Sequence, residues 1–147
     1  MNIAIILMIA IFFILDRYLK NITLLNHNPI KLIGDLLTLN FTPNYYIAFS
    51  LPISGPILNI AIILLILIIF LLIIRILKKT KQFEVNSIAL TFILFGAINN
   101  IVDRLLFGFV VDYLELKYFT VFNLSDVMIS LGAIILIIIN IKTKKSK

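Results

Sequence analysis

The sequence predicts an all-α integral membrane protein with four transmembrane helices, and three observations support that fold class. Hydrophobic residues make up 62% of the 147 positions and charged residues only 14%, whereas about a quarter of a soluble domain is charged. Several apolar runs reach the roughly 20 residues that a helix needs to cross a bilayer. Basic residues cluster after two of these runs, as the positive-inside rule predicts for cytoplasmic ends. We expect a single membrane domain over residues 1–147.

The four spans are expected at about residues 2–20, 56–77, 85–106 and 123–141. The first run has no basic n-region and no small-x-small cleavage site, so it is predicted as a helix and not as a cleavable signal sequence. The second begins after Ser-Gly-Pro, which is typical of a helix start.

Two less apolar stretches connect the spans at the outer face. Residues 21–54 form the first, a small extracytoplasmic element in which 31–39 and 45–51 are expected as short strands or as an amphipathic helix at the interface. His27 lies there in a turn-like NHNP run and is interpreted as a surface loop residue. The second, residues 108–122, contains GFVVDY and YFTVF and is expected as a short hairpin-like loop.

The net charge of +6 indicates membrane orientation more than a polyanionic ligand. Eight of the thirteen basic residues form two clusters beside apolar runs, namely Arg75, Lys78, Lys79, Lys81, Lys142, Lys144, Lys145 and Lys147. With four spans, both clusters and both termini face the cytoplasm, and the remaining loops lie outside. We therefore expect contact with membrane lipid and no nucleic-acid binding.

The composition also limits the available chemistry. The chain has no cysteine, which excludes thiol catalysis, disulfides and cysteine-based metal sites. It has one histidine, which excludes paired-histidine metal motifs and disfavours a serine–histidine triad. We expect neither a metal nor a cofactor.

Polar residues in so apolar a chain point to function. Asn100, Asp103 and Arg104 are spaced to share one helical face, although Asp103 could simply neutralise Arg104 there. Asp16 and Lys20 are four residues apart, which favours an ion pair at the headgroups over a buried carboxylate that braces a site.

Asp112 and Asp126 are the strongest candidates for chemistry. Asn123 and Asp126 have the spacing of a helix cap, which would explain both without catalysis, but Asp112 lies in an apolar run with no basic neighbour. Two adjacent carboxylates cannot both ionise easily, so one can act as a base towards water while the other polarises a carbonyl. The helix dipole favours Asp126 as the ionised member and the apolar surroundings favour Asp112 as the acid.

Five motifs in order resemble those of the lipoprotein signal peptidase family, also called signal peptidase II. Residues 96–104, GAINNIVDR, resemble its G-x-x-G-N-x-x-D-R motif, and residues 110–113, VVDY, resemble V-x-D-[FY]. Residues 122–126, FNLSD, resemble F-N-x-[AS]-D. Residues 44–50, NYYIAFS, resemble N-x-G-A-A-F-S, and residues 16–20, DRYLK, resemble D-Q-x-x-K.

The resemblance implies a role for each matching residue. Asp112 and Asp126 would be the catalytic dyad. The residues that would line or support the site are Asn100, Arg104, Asn123, Asn44, Asp16, Asp103 and Lys20. The chain departs from the family pattern where Asn99 and Tyr46 replace glycines and Arg17 replaces glutamine. The loss of two glycines predicts a locally different backbone or a narrower pocket.

The resemblance further implies a monomeric bacterial cell-membrane enzyme, with its active site at the outer face. Its substrate would be a prolipoprotein, cleaved before a cysteine that carries a diacylglyceryl group. The residues alone leave two alternatives. A small ion-coupled transporter would use Asp16, Asp103 and Arg104 as a relay and would need polar residues along the middle of helix two; a non-catalytic scaffold would not need Asp112 and Asp126 together.

Overall fold

The computed structural model describes residues 3–26, 28–46, 53–80 and 85–145. In these ranges the chain forms four helices and four strands, which are α1 (Ile3–Leu25), β1 (Ile30–Ile33), β2 (Leu37–Asn44), α2 (Pro56–Thr80), α3 (Val85–Phe107), β3 (Val110–Leu116), β4 (Val121–Phe122) and α4 (Leu124–Lys145). His27 and most of the predicted 45–51 piece lie outside the described residues.

Helices occur at all four predicted positions, and three of them in the described chain are long and apolar enough to cross a membrane. These three stretches are Pro56–Lys79, Val85–Phe107 and Leu124–Lys142. Helix α1 is also long, with 23 residues, but its second half carries Asp16, Arg17 and Lys20. It continues to Leu25, beyond the predicted end at residue 20, because the polar side chains of this half turn inward onto α3 and β3.

Helix α3 lies at the centre of the bundle and approaches α4 very closely. A Cβ atom at Gly96 would lie 2.6 Å from the carbonyl oxygen of Ser125, and one at Gly132 would lie 2.5 Å from that of Ala89. Only glycine fits at such contacts, since a Cβ atom essentially never approaches another heavy atom so closely. The close approach at Gly96 brings the polar end of α3 against the first turn of α4.

Apolar side chains hold the other helices around α3. Ile69 and Ile73 of α2 pack with Leu94 of α3, whereas Ile9 of α1 packs with Phe92 and Met128. Much of the remaining surface of α2 exposes isoleucine and leucine, as a helix facing lipid does.

The strands form one antiparallel sheet in the order β1-β2-β3-β4. The sequence prediction left strands or an amphipathic helix open for residues 31–39, and the structure has strands there. The predicted hairpin after α3 is confirmed as β3 and β4. The pairing of β2 with β3 was not predicted, and it joins the two connecting stretches by setting Asn44 opposite Val110 and Thr42 opposite Asp112.

Candidate active site

A reciprocal hydrogen-bonded cap closes the N-terminus of α4. The backbone N–H of Asp126 donates to Asn123 Oδ1 at 2.9 Å, and the backbone N–H of Asn123 donates to Asp126 Oδ2 at 3.2 Å. The cap predicted from the spacing is therefore confirmed. It fixes the Asp126 side chain at the first turn, where the positive end of the helix dipole favours a carboxylate.

Asp112 reaches the same cap from β3. Asn123 Nδ2 donates to its Oδ1 at 2.6 Å, and Asn44 Nδ2 donates to its Oδ2 at 2.9 Å. Asn44 is in reach because the pairing of β2 with β3 brings the end of β2 beside Asp112. Asn123 thus contacts both aspartates, and Asp112 is only 2% exposed.

The carboxyl group of Asp112 binds its proton more tightly than an ordinary aspartate. Burial, and after it the nearby Asp126 carboxylate, raise the pKa of Asp112 from 3.8 to about 7. The amides of Asn44 and Asn123 oppose this rise, since hydrogen bonds to a carboxylate favour its ionised form. Burial outweighs them, so the protonated and ionised forms of Asp112 are both populated near neutral pH.

Asp126 is held from α3 as well as by its own cap. Asn100 Nδ2 donates to Asp126 Oδ1 at 2.8 Å, while the cap occupies Oδ2. Each oxygen of this side chain therefore accepts a hydrogen bond. These donors are all neutral, as are those to Asp112.

Lys20 links this site to a second group of charges. Its ammonium group donates to Asn100 Oδ1 at 2.8 Å and lies 2.7 Å from Asp103 Oδ2 and 3.2 Å from Asp16 Oδ2. Lys20 and Asp16 are 1% and 0% exposed. The ion pair expected from the spacing is present, but its burial disagrees with an exposed position at the headgroups and favours the alternative of a buried carboxylate.

Asp103 pairs with α1 and not with its neighbour Arg104. Arg17 Nη2 donates to Asp103 Oδ1, and the backbone N–H of Val111 donates to Asp103 Oδ2 at 3.1 Å. The possibility that Asp103 neutralises Arg104 is not observed. Arg104 instead donates to the carbonyl oxygens of Tyr45 and Tyr46, so it holds the chain that follows Asn44.

Asp16 fastens the first turn of α4 to the rest of the site. Its Oδ1 accepts from the hydroxyl of Tyr113 at 2.8 Å and from the backbone N–H of Ser125 at 3.3 Å. Its Oδ2 accepts from Ser125 Oγ and Asn99 Nδ2, both at 2.7 Å. Burial and the Asp16 charge raise the pKa of Tyr113, so its hydroxyl donates as a neutral phenol.

The structure thus brings together all nine residues singled out from the sequence. It also adds four participants that sequence reasoning missed, which are Arg17, Asn99, Tyr113 and Ser125. Arg17 and Asn99 had been noticed only as departures from the family pattern. Their polarity within apolar helices was the available signal. Helix α3 continues through Asn99, and the side chain of this residue turns towards Asp16.

The chain is similar to known membrane enzymes in sequence and in fold. The family model described as signal peptidase (SPase) II matches residues 8–142. The lipoprotein signal peptidase of Moorella thermoacetica is 34% identical over 122 residues, which cover 83% of this chain and 80% of the relative. That of Clostridium tetani is 42% identical over 64 residues, covering 40% of this chain and 41% of the relative.

A solved bacterial membrane enzyme, determined by the in meso method at 2.3 Å resolution, shares the fold. Its TM-score is 0.82 at 24% identity, and the match covers 98% of this chain and 91% of that one. The family match extends over nearly the whole sequence and includes both aspartates held by Asn123. The chain belongs to the signal peptidase II family of aspartic-type membrane proteases.

Proposed function

We propose that this enzyme removes the signal peptide from diacylglyceryl-modified bacterial prolipoproteins by means of a dyad formed by Asp112 and Asp126. The bond cleaved lies before the lipid-modified cysteine. The observation that carries the proposal is the position of Asn123, whose side chain and backbone bind both aspartates. The names of the curated relatives support the substrate class.

The two aspartates have different surroundings and are suited to different roles. Asp126 accepts from Asn100 and from the cap of α4, and it acts as the base that takes a proton from water. Asp112, whose pKa is raised to about 7, is still protonated in part of the population near neutral pH, and this form acts as the acid towards the carbonyl oxygen of the scissile bond.

The steps balance with these two groups and one water. Water oxygen bonds to the carbonyl carbon as Asp126 accepts its proton and Asp112 gives its own proton to the carbonyl oxygen. The tetrahedral intermediate then breaks its C–N bond. Asp126 delivers its proton to the leaving amine and Asp112 recovers the proton from the hydroxyl, which restores the starting state.

We further propose four spans, with both termini in the cytoplasm and the dyad at the outer face. Asp112 follows soon after the end of α3, and Asp126 lies in the first turn of α4, so both belong to one end of the bundle. Lys78 and Lys79 end α2, and α4 also runs into a basic segment. This charge distribution supports a cytoplasmic position for the opposite end.

We further propose a single domain that acts as a monomer, because the site residues bond to one another within the chain and do not need a second copy to position them. A transporter is disfavoured, because the only polar residue of α2 before Arg75 is Asn59, in the first turn. Reporter fusions test the orientation. Reporters at Gly34 and Lys117 should lie outside, whereas one at Lys79 should lie inside.

Cleavage of a diacylated precursor in detergent tests the dyad. Asp112→Asn and Asp126→Asn should each lower kcat by roughly 10²–10⁴-fold, the usual contribution of a general acid or base. Asp35→Asn is the matched control, since Asp35 is an exposed carboxylate paired with Lys31. Near-normal turnover by either dyad variant, or failure of the wild type to cleave, would contradict the proposal.

A further inference from the structure

Lys20 is a buried cation whose donors are fully used. An ammonium group has three N–H donors and no acceptor, and three acceptors surround Lys20 Nζ: Asp16 Oδ2, Asp103 Oδ2 and Asn100 Oδ1. Burying a charge is costly even when it is paired. Such a site calls for a reason beyond the ion pairs alone.

The distances show which contacts of Lys20 matter most. The contact with Asp16 is the longest, at 3.2 Å, and Asp16 already accepts from Tyr113, Ser125 and Asn99. Asp103 has a second cationic partner in Arg17. Asn100 Oδ1, by contrast, accepts a hydrogen bond from Lys20 alone within the described part of the chain.

The Asn100 amide connects Lys20 to Asp126. An asparagine amide can be turned to exchange its oxygen and nitrogen, so its orientation is set by its neighbours. Because Lys20 can only donate, the amide oxygen must face it, and the NH₂ group must then face Asp126 Oδ1. An NH₂ group stabilises a carboxylate and repels the proton of a carboxylic acid.

We propose that Lys20 is a positioning residue that assigns the roles within the dyad by fixing the orientation of the Asn100 amide. Asn100 then always donates to Asp126, which makes Asp126 the ionised member and leaves the proton on Asp112. This inference rests on the proposed aspartate dyad. Lys20 itself is 1% exposed, so it is placed to act through Asn100 and not directly on a substrate.

A second contact of Lys20, through Asp103, connects it to Asp112. Asp103 Oδ2, which lies 2.7 Å from Lys20 Nζ, also accepts from the backbone N–H of Val111, directly before Asp112. Lys20 therefore holds β3 through Asp103 and α4 through Asn100. Asp103 is also held by Arg17, whereas the orientation of the Asn100 amide depends on Lys20.

Two substitutions separate this role from a purely structural one. Lys20→Arg remains donor-only, so Asn100 keeps its orientation and kcat should stay within about tenfold of wild type. Lys20→Gln supplies an acceptor as well as a donor, so Asn100 can turn its oxygen towards Asp126. We expect kcat to fall about 100-fold, a loss typical of misplaced catalytic groups, with KM within about twofold. A steric role predicts the opposite order, because glutamine is smaller and neutral.

The coupling to Asn100 gives an independent readout. If Lys20 acts through the amide, Lys20→Gln should cost less than about threefold further kcat in an Asn100→Ala background, whereas two separate structural roles would give additive losses. Lys31→Gln is the matched control, because Lys31 forms an exposed ion pair with Asp35. It should leave kcat and KM unchanged.

Thermal melting of each variant in detergent comes first, so that kcat is expressed per folded enzyme. Wild-type kcat in folded Lys20→Gln, additive losses with Asn100→Ala, or a 100-fold loss in folded Lys20→Arg would each overturn the inference. If Lys20→Gln does not fold, the Lys20→Arg measurement decides. Asp112→Asn is included throughout: cleavage by this variant, or none by wild type, would overturn the proposed dyad instead.

Discussion

The site contains two pairs of buried or half-buried carboxylates that differ in their partners. Asp16 and Asp103 contact the cationic side chains of Lys20 and Arg17. Asp112 and Asp126 accept only from amide and backbone N–H groups, and no ion pair in the described part of the chain includes either of them. Both pairs meet at the same end of the bundle, joined by Asn100 and Lys20.

Under the proposed function, this difference distinguishes the supporting carboxylates from the catalytic ones. A carboxylate with a cation beside it stays ionised and fixes geometry, because the partner charge offsets part of its desolvation. A carboxylate with only neutral donors in a buried site keeps its proton to a higher pH, as the raised pKa of Asp112 shows. The four predictions below probe this contrast, beginning with the largest expected effect.

Removing the carboxyl group of Asp112, which has no cationic partner among the described residues, should abolish activity without lowering the stability of the fold. Asp112→Asn replaces a carboxyl group with a side chain of the same shape, and the amide retains an oxygen towards Asn123. We expect kcat to fall roughly 10²–10⁴-fold, since the general acid is lost. Melting in detergent should show a stability equal to or above that of wild type. A large loss of stability would mean that Asp112 is a structural residue.

Removing Asp103, which contacts two cationic side chains, should instead lower the stability. Asp103→Asn leaves Arg17 and Lys20 without their shared anion, and breaking a buried ion pair typically costs about 3–5 kcal/mol. Chemical denaturation in detergent measures the change. Asp35→Asn, in the exposed pair with Lys31, is the control and should cost no more than about 1 kcal/mol. Equal losses from both variants would contradict the distinction.

The raised pKa of Asp112 also predicts a pH dependence of stability. The folded state binds this proton more tightly than the unfolded state, whose pKa is near 3.8. The contribution of this proton to the free energy of unfolding is therefore complete below about pH 4 and is lost as pH rises towards 7. The loss amounts to up to about 4 kcal/mol, at 1.4 kcal/mol per pKa unit. The stability of Asp112→Asn should not fall in this way, because asparagine has no proton to lose in this pH range. The stability difference between the variant and wild type, measured from pH 4 to 8, should grow with pH.

Asn44→Ala should produce a smaller effect in the same region. Asn44 stabilises the ionised form of Asp112, so its removal raises the pKa of Asp112 further. The alkaline limb of kcat/KM should move to higher pH by up to about one unit, a typical change for one hydrogen bond. Asn40→Ala is the control on the same strand, since Asn40 donates to Glu115 instead. A shift to lower pH would show that Asn44 favours the acid form.

Features set by neighbouring residues could be predicted from the sequence. The apolar runs located all four helices, and the spacing of Asn123 and Asp126 located the cap of α4. In each case the interaction joins residues within a few positions, where periodicity and capping preferences apply.

Features that depend on contacts between residues far apart in the sequence could not be predicted. Arg17 and Asp103 are separated by most of the chain, and helical spacing alone suggested Arg104 as the partner of Asp103. Asp16 and Lys20 were misinterpreted for the same reason, because their spacing is equally compatible with an exposed and a buried pair. The pairing of β2 with β3, which brings Asn44 to Asp112, also has no local signal.

The central claim is that Asp112 and Asp126, which have no cationic partner in the part of the chain that the structure describes, together hold one proton near neutral pH, and that this proton is on Asp112. Infrared difference titration measures this directly. The enzyme carries isotope-labelled aspartate, and its spectra are compared with those of the Asp112→Asn and Asp126→Asn variants. The account predicts a carboxylic acid band that is lost near pH 7 and is absent from Asp112→Asn. Loss of that band near pH 4, or its persistence in Asp112→Asn, would contradict it.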